Sequence, residues 1–293
     1  TDEFWQSRMP DWSKVKTPFL SAANWGGQGL HPRGNFEAFT RAAAAQYHRA
    51  IAAGNDAGLL SGAFYALGAI AKGRGETARA ASYFGEGAAL GGTRSATPEI
   101  AELLFQSGQY SQAAAQFAAL AEKSDTLARK SDYRRRQIVA TFRLDDIAAA
   151  QTLVAAFQKN VTDMPEAEAE FAYERGLALF RKQDYAAARK AFATVADDHA
   201  ETRFGPWGEF YLAKILELGG SLDEAAKAYT GILEHRAGSD VVPRTHLALG
   251  NMHFNAERYE DAIRHYQAVM ATPEAAADIL PFVMNNLIEA YES

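Results

Sequence analysis

His246 and His253 lie seven residues apart with Glu257 one turn further on, so a helix would carry all three on one face as possible metal ligands. The spacing is equally that of a helix packing on its neighbours, and histidines of the core or its boundary are the expectation. Gly73-Arg74-Gly75-Glu76-Thr77-Ala78 imitates a dinucleotide loop. Such a loop follows a strand, whereas a helical pattern precedes this one, so it reads as a turn. Lys130 to Arg136 contains three consecutive arginines, which suit either an acidic partner or a solvated helix start. Asn160-Val161-Thr162 is a glycosylation acceptor only in a chain secreted by a eukaryote. The chain has no cysteine, which removes disulfides, thiolate metal sites and a cysteine nucleophile together. No Gly-x-Ser-x-Gly elbow presents a serine either. The expectation is therefore a protein that is not an enzyme and needs no cofactor or metal.

What positions these groups is a folded, core-forming chain. Its 293 residues are 48% hydrophobic and 23% charged, and 30 Lys and Arg against 36 Asp and Glu give a net charge of −6. That balance argues against nucleic acid as a partner, since gripping phosphates takes a strongly basic surface. The longest stretch without a charged or strongly polar side chain runs from Ala57 to Ala71, between Asp56 and Lys72, and is too short to span a bilayer. The chain starts at Thr1 with no basic region and apolar run behind it. A chain shorn of its leader and one that never had one both fit, so cytoplasmic and bacterial periplasmic locations stay open.

A repeat fills most of the sequence. Ala80, Ala113, Ala150, Ala188, Ala225 and Ala262 are 33, 37, 38, 37 and 37 residues apart. Four residues after each stands Phe84, Phe117, Val154, Phe192, Tyr229 or Tyr266. Three residues before each stands Thr77, Tyr110, Ile147, Tyr185, Leu222 or Tyr259. Nine before that lies a small residue, Gly68, Ala101, Gly176, Ala213 or Gly250, with Ile138 the exception. Steps of three and four keep one helical face, so the unit is helix A, a short turn and helix B. The pattern resembles the tetratricopeptide repeat, most fully at Gly176, Tyr185, Ala188, Phe192 and at Gly250, Tyr259, Ala262, Tyr266. The longer period is similar to that of YbgF-type and BamD-type bacterial envelope proteins. The resemblance implies an all-α fold, a tetratricopeptide-like α-solenoid in which helix hairpins wind into a right-handed superhelix. Residues 36–293 make the array, about six full units with a lone helix B near Phe36 to Ala53 and a lone helix A from Pro281 to Tyr291.

Residues 1–35 stand outside the pattern. Trp5, Trp12 and Trp25, prolines at 10, 18 and 32, the run Phe19-Leu20-Ser21-Ala22-Ala23 and Gly26-Gly27 have strand and loop composition. The stretch from Phe4 to Glu37 resembles a segment of the CocE/NonD family of α/β-hydrolases, where it would be a late core strand and the loop beside the catalytic acid. The resemblance brings no active site: Gly26-Gly27 stands where the acid is expected, and the histidine-bearing segment is replaced by repeat helices. A CocE/NonD-type serine hydrolase or a hydrolase-associated fusion is the alternative reading, and it is catalytically incomplete.

The solenoid resemblance also implies which helix A residues face its concave groove. These include Phe105; Arg135, Phe142 and Arg143; Tyr173, Phe180 and Arg181; Trp207, Phe210 and Lys214; and Arg244, Asn251 and Phe254. Aromatic and basic residues alternate, and phenylalanine recurs at one register, at 105, 142, 180 and 254. Such a ladder either grips a peptide through apolar anchors flanked by charge or covers neighbouring helices. The family's clamp for chaperone tails needs lysine, asparagine and arginine where this chain has Tyr173, Leu177 and Leu247, so that partner is disfavoured. The expected function is a scaffold that binds a protein or peptide in its groove.

Overall fold

The computed structural model describes residues 43–52, 56–90, 97–161, 163–272 and 278–292, and the ordered elements among them are all helices. The segment 1–35, with its likeness to a hydrolase strand, lies outside the described residues. Helix α1 covers residues 43–52. There follow α2 (Ala57–Gly73), α3 (Thr77–Ala89), α4 (Pro98–Gln106), α5 (Tyr110–Lys123), α6 (Leu127–Arg143), α7 (Ile147–Gln158) and α8 (Pro165–Arg181). The last six are α9 (Tyr185–Asp198), α10 (Gly205–Leu218), α11 (Leu222–His235), α12 (Val242–Asn255), α13 (Tyr259–Met270) and α14 (Leu280–Glu292). The chain divides into two compact units, residues 1–140 and 141–293. In the second, α8 to α14 pack each on the next in chain order.

The alanine register is where paired helices meet. Ala80, Ala113, Ala150, Ala188, Ala225 and Ala262 are all 0% exposed. Across each of three pairs, the small residue of helix A touches the ring four residues beyond that alanine. A Cβ on Gly68, Gly176 or Gly250 would come within 2.5 Å of Phe84, Phe192 or Tyr266 respectively. The glycine thus lets a whole aromatic ring lie flat on the partner helix, and burying such a ring stabilises the pair by about 1.5–3 kcal/mol. Phe192 and Tyr266 are fully buried, and Phe84 nearly so.

The turns share one backbone device. Gly75, Gly108, Asp145, Gln183, Gly220 and Glu257 have φ between 58° and 81°, and each lies five residues before its repeat's alanine. This left-handed residue closes helix A. Its own N–H donates to a carbonyl three residues back, as from Gln183 to Phe180. The next N–H reaches five back, as from Asp184 to Leu179, Gln109 to Leu104, Ser221 to Leu216 and Arg258 to His253. These are the paired bonds that satisfy the last carbonyls of a helix while reversing the chain. Helix B then starts at once, with Asp146 and Asp184 accepting from the N–H groups of Ala149 and Ala187. Prolines in the first turn of α4, α8, α10 and α12 sit where a missing N–H costs nothing.

Candidate functional site

In the second unit, equivalent positions on successive helices converge. Trp207, Phe210, Tyr211 and Lys214 of α10 recur at steps of three and four, and so do Arg244, Leu247, Ala248 and Asn251 of α12. Each member of the second set follows its counterpart by 37 residues. Tyr173 and Leu177 of α8 precede Phe210 and Lys214 by the same interval. With Arg143 they line an open cleft of about 400 Å³.

The floor is aromatic. Tyr211 stacks on the buried Phe192, with ring centroids 4.7 Å apart and planes 10° from parallel. Tyr173 lies 5.9 Å from Tyr211 and 6.3 Å from Trp207, and Phe210 meets Tyr211 edge to face at 5.5 Å. Edge and tilted contacts of this kind fix ring orientations beyond what area alone supplies. Burial pushes the Tyr173 and Tyr211 phenols up, so both act as neutral hydrogen-bonding groups.

Arg143, Lys214 and Arg244 are the charged residues of the lining, which holds no acidic side chain. Each has a carboxylate partner outside the lining. Arg143 Nη2 is 2.5 Å from Glu174 Oε1, and the Glu174 side chain is only 4% exposed. Burial pushes the Glu174 carboxyl up against the pull of Arg143, and its Oε2 has no partner among the described residues. Lys214 Nζ lies 2.8 Å from Glu217, whose other oxygen accepts from the Tyr229 hydroxyl. Arg244 pairs with Asp278 and sits 5.7 Å above the Trp207 ring, whose Nε1 donates to Asp240. Asn251 Oδ1 is taken by Tyr266 and Asn286.

Of the residues expected in the groove, Arg143, Tyr173, Trp207, Phe210, Lys214, Arg244 and Asn251 come together in this cleft. The others are placed elsewhere. Phe142 is in the core at 1% exposure. Phe105, Phe180 and Phe254 each turn edge-on to the first residue of their own helix B, Tyr110, Tyr185 and Tyr259, at 5.3, 5.3 and 5.4 Å. The phenylalanine register thus clamps hairpin ends. Arg181 ties a turn, with Nε and Nη2 on Asp145 Oδ1 and Nη2 on the Phe142 carbonyl. Arg135 pairs with Asp132 on its own helix. Its neighbours Arg134 and Arg136 pair with Glu122 and Glu102, and Arg136 also covers the Phe105 ring at 4.4 Å. Tyr211 and Ala248 were not expected. Both follow from the 37-residue interval once Glu174 is recognised as the equivalent position one repeat earlier.

The histidines form a separate cluster. His246 Nδ1 and His265 Nδ1 are 3.0 Å apart, and His253 stacks on His265 with centroids 5.3 Å apart. Burial holds all three below the usual imidazole range, His265 down to about 4 with the other two rings adding to the effect. Among the described residues no three histidine or carboxylate side chains are grouped to hold a metal ion, and Glu257, expected beside these histidines, is instead the left-handed residue of a turn. The Gly73-to-Ala78 segment is likewise a turn closed by Gly75. No helix of the described residues is long and apolar enough to cross a membrane. No family model matches the chain, and no curated protein matches it.

Proposed function

We propose that the helix pairs are tetratricopeptide-like and stack as an α-solenoid, and that the chain is a non-enzymatic scaffold binding a peptide or protein segment along its helix A faces. The carrying observation is the cleft of residues 141–293, in which residues one repeat apart present an open aromatic floor edged by three cations. A helix pair cannot bury its apolar face alone. Stacking makes a continuous core and leaves an extended surface suited to a chain-like ligand. Half-exposed aromatic and arginine side chains are also the types that dominate binding energy at such surfaces.

The test is selection of random peptides displayed against the full chain, followed by anisotropy measurements on the enriched sequences. The double variant Phe210→Ala, Lys214→Ala should bind them at least about tenfold more weakly with unchanged helical circular dichroism. Failure to enrich any peptide, or equal affinity for the variant, would refute the reading.

A further inference from the structure

We infer that the cleft of the second unit takes an acidic peptide segment in which a central aromatic side chain is flanked by carboxylate residues. This rests on the peptide-binding reading above and names the chemistry of the ligand. The cleft lining presents three cations and no acidic side chain on a chain whose net charge is −6, each cation being paired with a carboxylate outside the lining. An acidic ligand is repelled by the chain's net charge, and the exposed parts of these cations are where its carboxylates find contact.

The cations are held in a way that lets a ligand carboxylate join them or replace their present partners. Asp278, the partner of Arg244, has a 63% exposed side chain, and ion pairs so exposed contribute little to stability. A ligand carboxylate can exchange with it at little cost. Glu217 is divided between Lys214 and the Tyr229 hydroxyl. Glu174 lies almost wholly under the surface, so it orients the Arg143 guanidinium from behind. Each cation keeps about a third of its side chain exposed, 33% for Arg143, 34% for Lys214 and 37% for Arg244.

Between the cations the floor selects the central residue. The half-exposed Tyr173, Trp207, Phe210 and Tyr211 offer both edges and faces, and an incoming ring gains aromatic pairing that an aliphatic chain of equal area lacks. A cleft of about 400 Å³ lies at the lower end of ligand-sized sites, with room for one large side chain and its neighbours.

Three fluorescein-labelled peptides of equal length separate the possibilities by anisotropy on the full chain: one with a central Phe between Glu residues, one with Ala at the centre, and one with Lys for Glu. The first should bind at least about tenfold more tightly than either of the others. Its affinity should fall severalfold between about 50 and about 500 mM salt, as screening shortens the reach of the three cations. Lys214→Gln with Arg244→Gln, both at half-exposed positions, should remove that preference and its salt dependence while leaving the melting temperature within a few degrees. If the Lys-flanked peptide binds as well as the Glu-flanked one, the inference is overturned and peptide binding stands. If the Ala-centred peptide binds as well as the first, the aromatic half is overturned. Should none of the three bind, the inference is overturned, and peptide binding stands or falls on the selection from random sequences.

Discussion

Replacing Gln183 and Glu257 by glycine should stabilise the second unit, although each change deletes a side chain and adds nothing. Both residues occupy the turn position that is glycine in three of the other repeats, with φ of 61° and 58°, and both are exposed. An L-residue in the left-handed region costs about 1–2 kcal/mol relative to its ordinary conformation. Glycine avoids that cost but loses about 0.5–1 kcal/mol more backbone freedom on folding. The difference is about 0.5–1 kcal/mol in favour of each substitution. Urea and thermal unfolding followed by far-UV circular dichroism should therefore show Gln183→Gly, Glu257→Gly raised by about 1–2 kcal/mol, a few degrees for a unit of this size. Two relatives calibrate the argument. Gly220→Ala, at φ of 81°, should lose stability, because alanine must enter the left-handed region there. Asp145→Gly should gain little, since it also removes the carboxylate that takes two bonds from Arg181, at 2.8 and 2.6 Å. A double variant that melts lower than the parent, or a neutral Gly220→Ala, would show that the turns are not under the conformational cost assigned to them.

Gly176→Ala should destabilise by about 1–3 kcal/mol, because its Cβ would stand 2.5 Å from the buried Phe192 ring, whereas Gly231→Ala, with nothing within 4 Å, should stabilise by about 0.5–1 kcal/mol. Paired denaturation curves of the two variants check the contrast. The depressed histidines predict an acid-sensitive α12–α13 pair. The unfolded chain takes protons near the ordinary value, about 6.5, while His265 resists to about 4, so stability falls as pH drops through that window. The loss is about 1–2 kcal/mol after allowance for solvent screening of half-exposed rings, and His265→Asn, compared with the parent at both ends of the window, should flatten it. Glu174 carries the opposite slope. Its carboxyl is raised by burial, so its contribution to stability is present at acid pH and lost as pH rises through the folded value. Glu174→Gln should consequently be more stable than the parent at neutral pH and lose that advantage in acid, as read by melting temperature against pH.

The parts of the fold that were legible in the sequence are those in which one residue type satisfies one physical demand in every repeat. Alanine at the crossing of two helices leaves no alternative of similar size, and all six alanines are fully buried. The turn conformation was only half legible. Glycine announces the left-handed position at 75, 108 and 220, but Asp145, Gln183 and Glu257 adopt it because the bonds closing helix A impose it, and side-chain chemistry does not reveal that. The cleft followed a similar division. Trp207, Phe210, Lys214, Arg244 and Asn251 were placed by their register, because the helical period sets the direction of a residue ahead of the helix's last turn. At the last turn of helix A that rule weakens, since a ring there can face either the groove or its own reversing chain. The deciding residue for Phe105, Phe180 and Phe254 lies five positions on, where Tyr110, Tyr185 and Tyr259 supply a ring to meet edge-on. In the repeat where that position is Ile147, no second ring is there and Phe142 is buried at 1% exposure. A phenylalanine ladder in a helical repeat therefore reads as a groove only after the first residue of the following helix has been inspected: a tyrosine there turns the same ladder into a row of hairpin clamps.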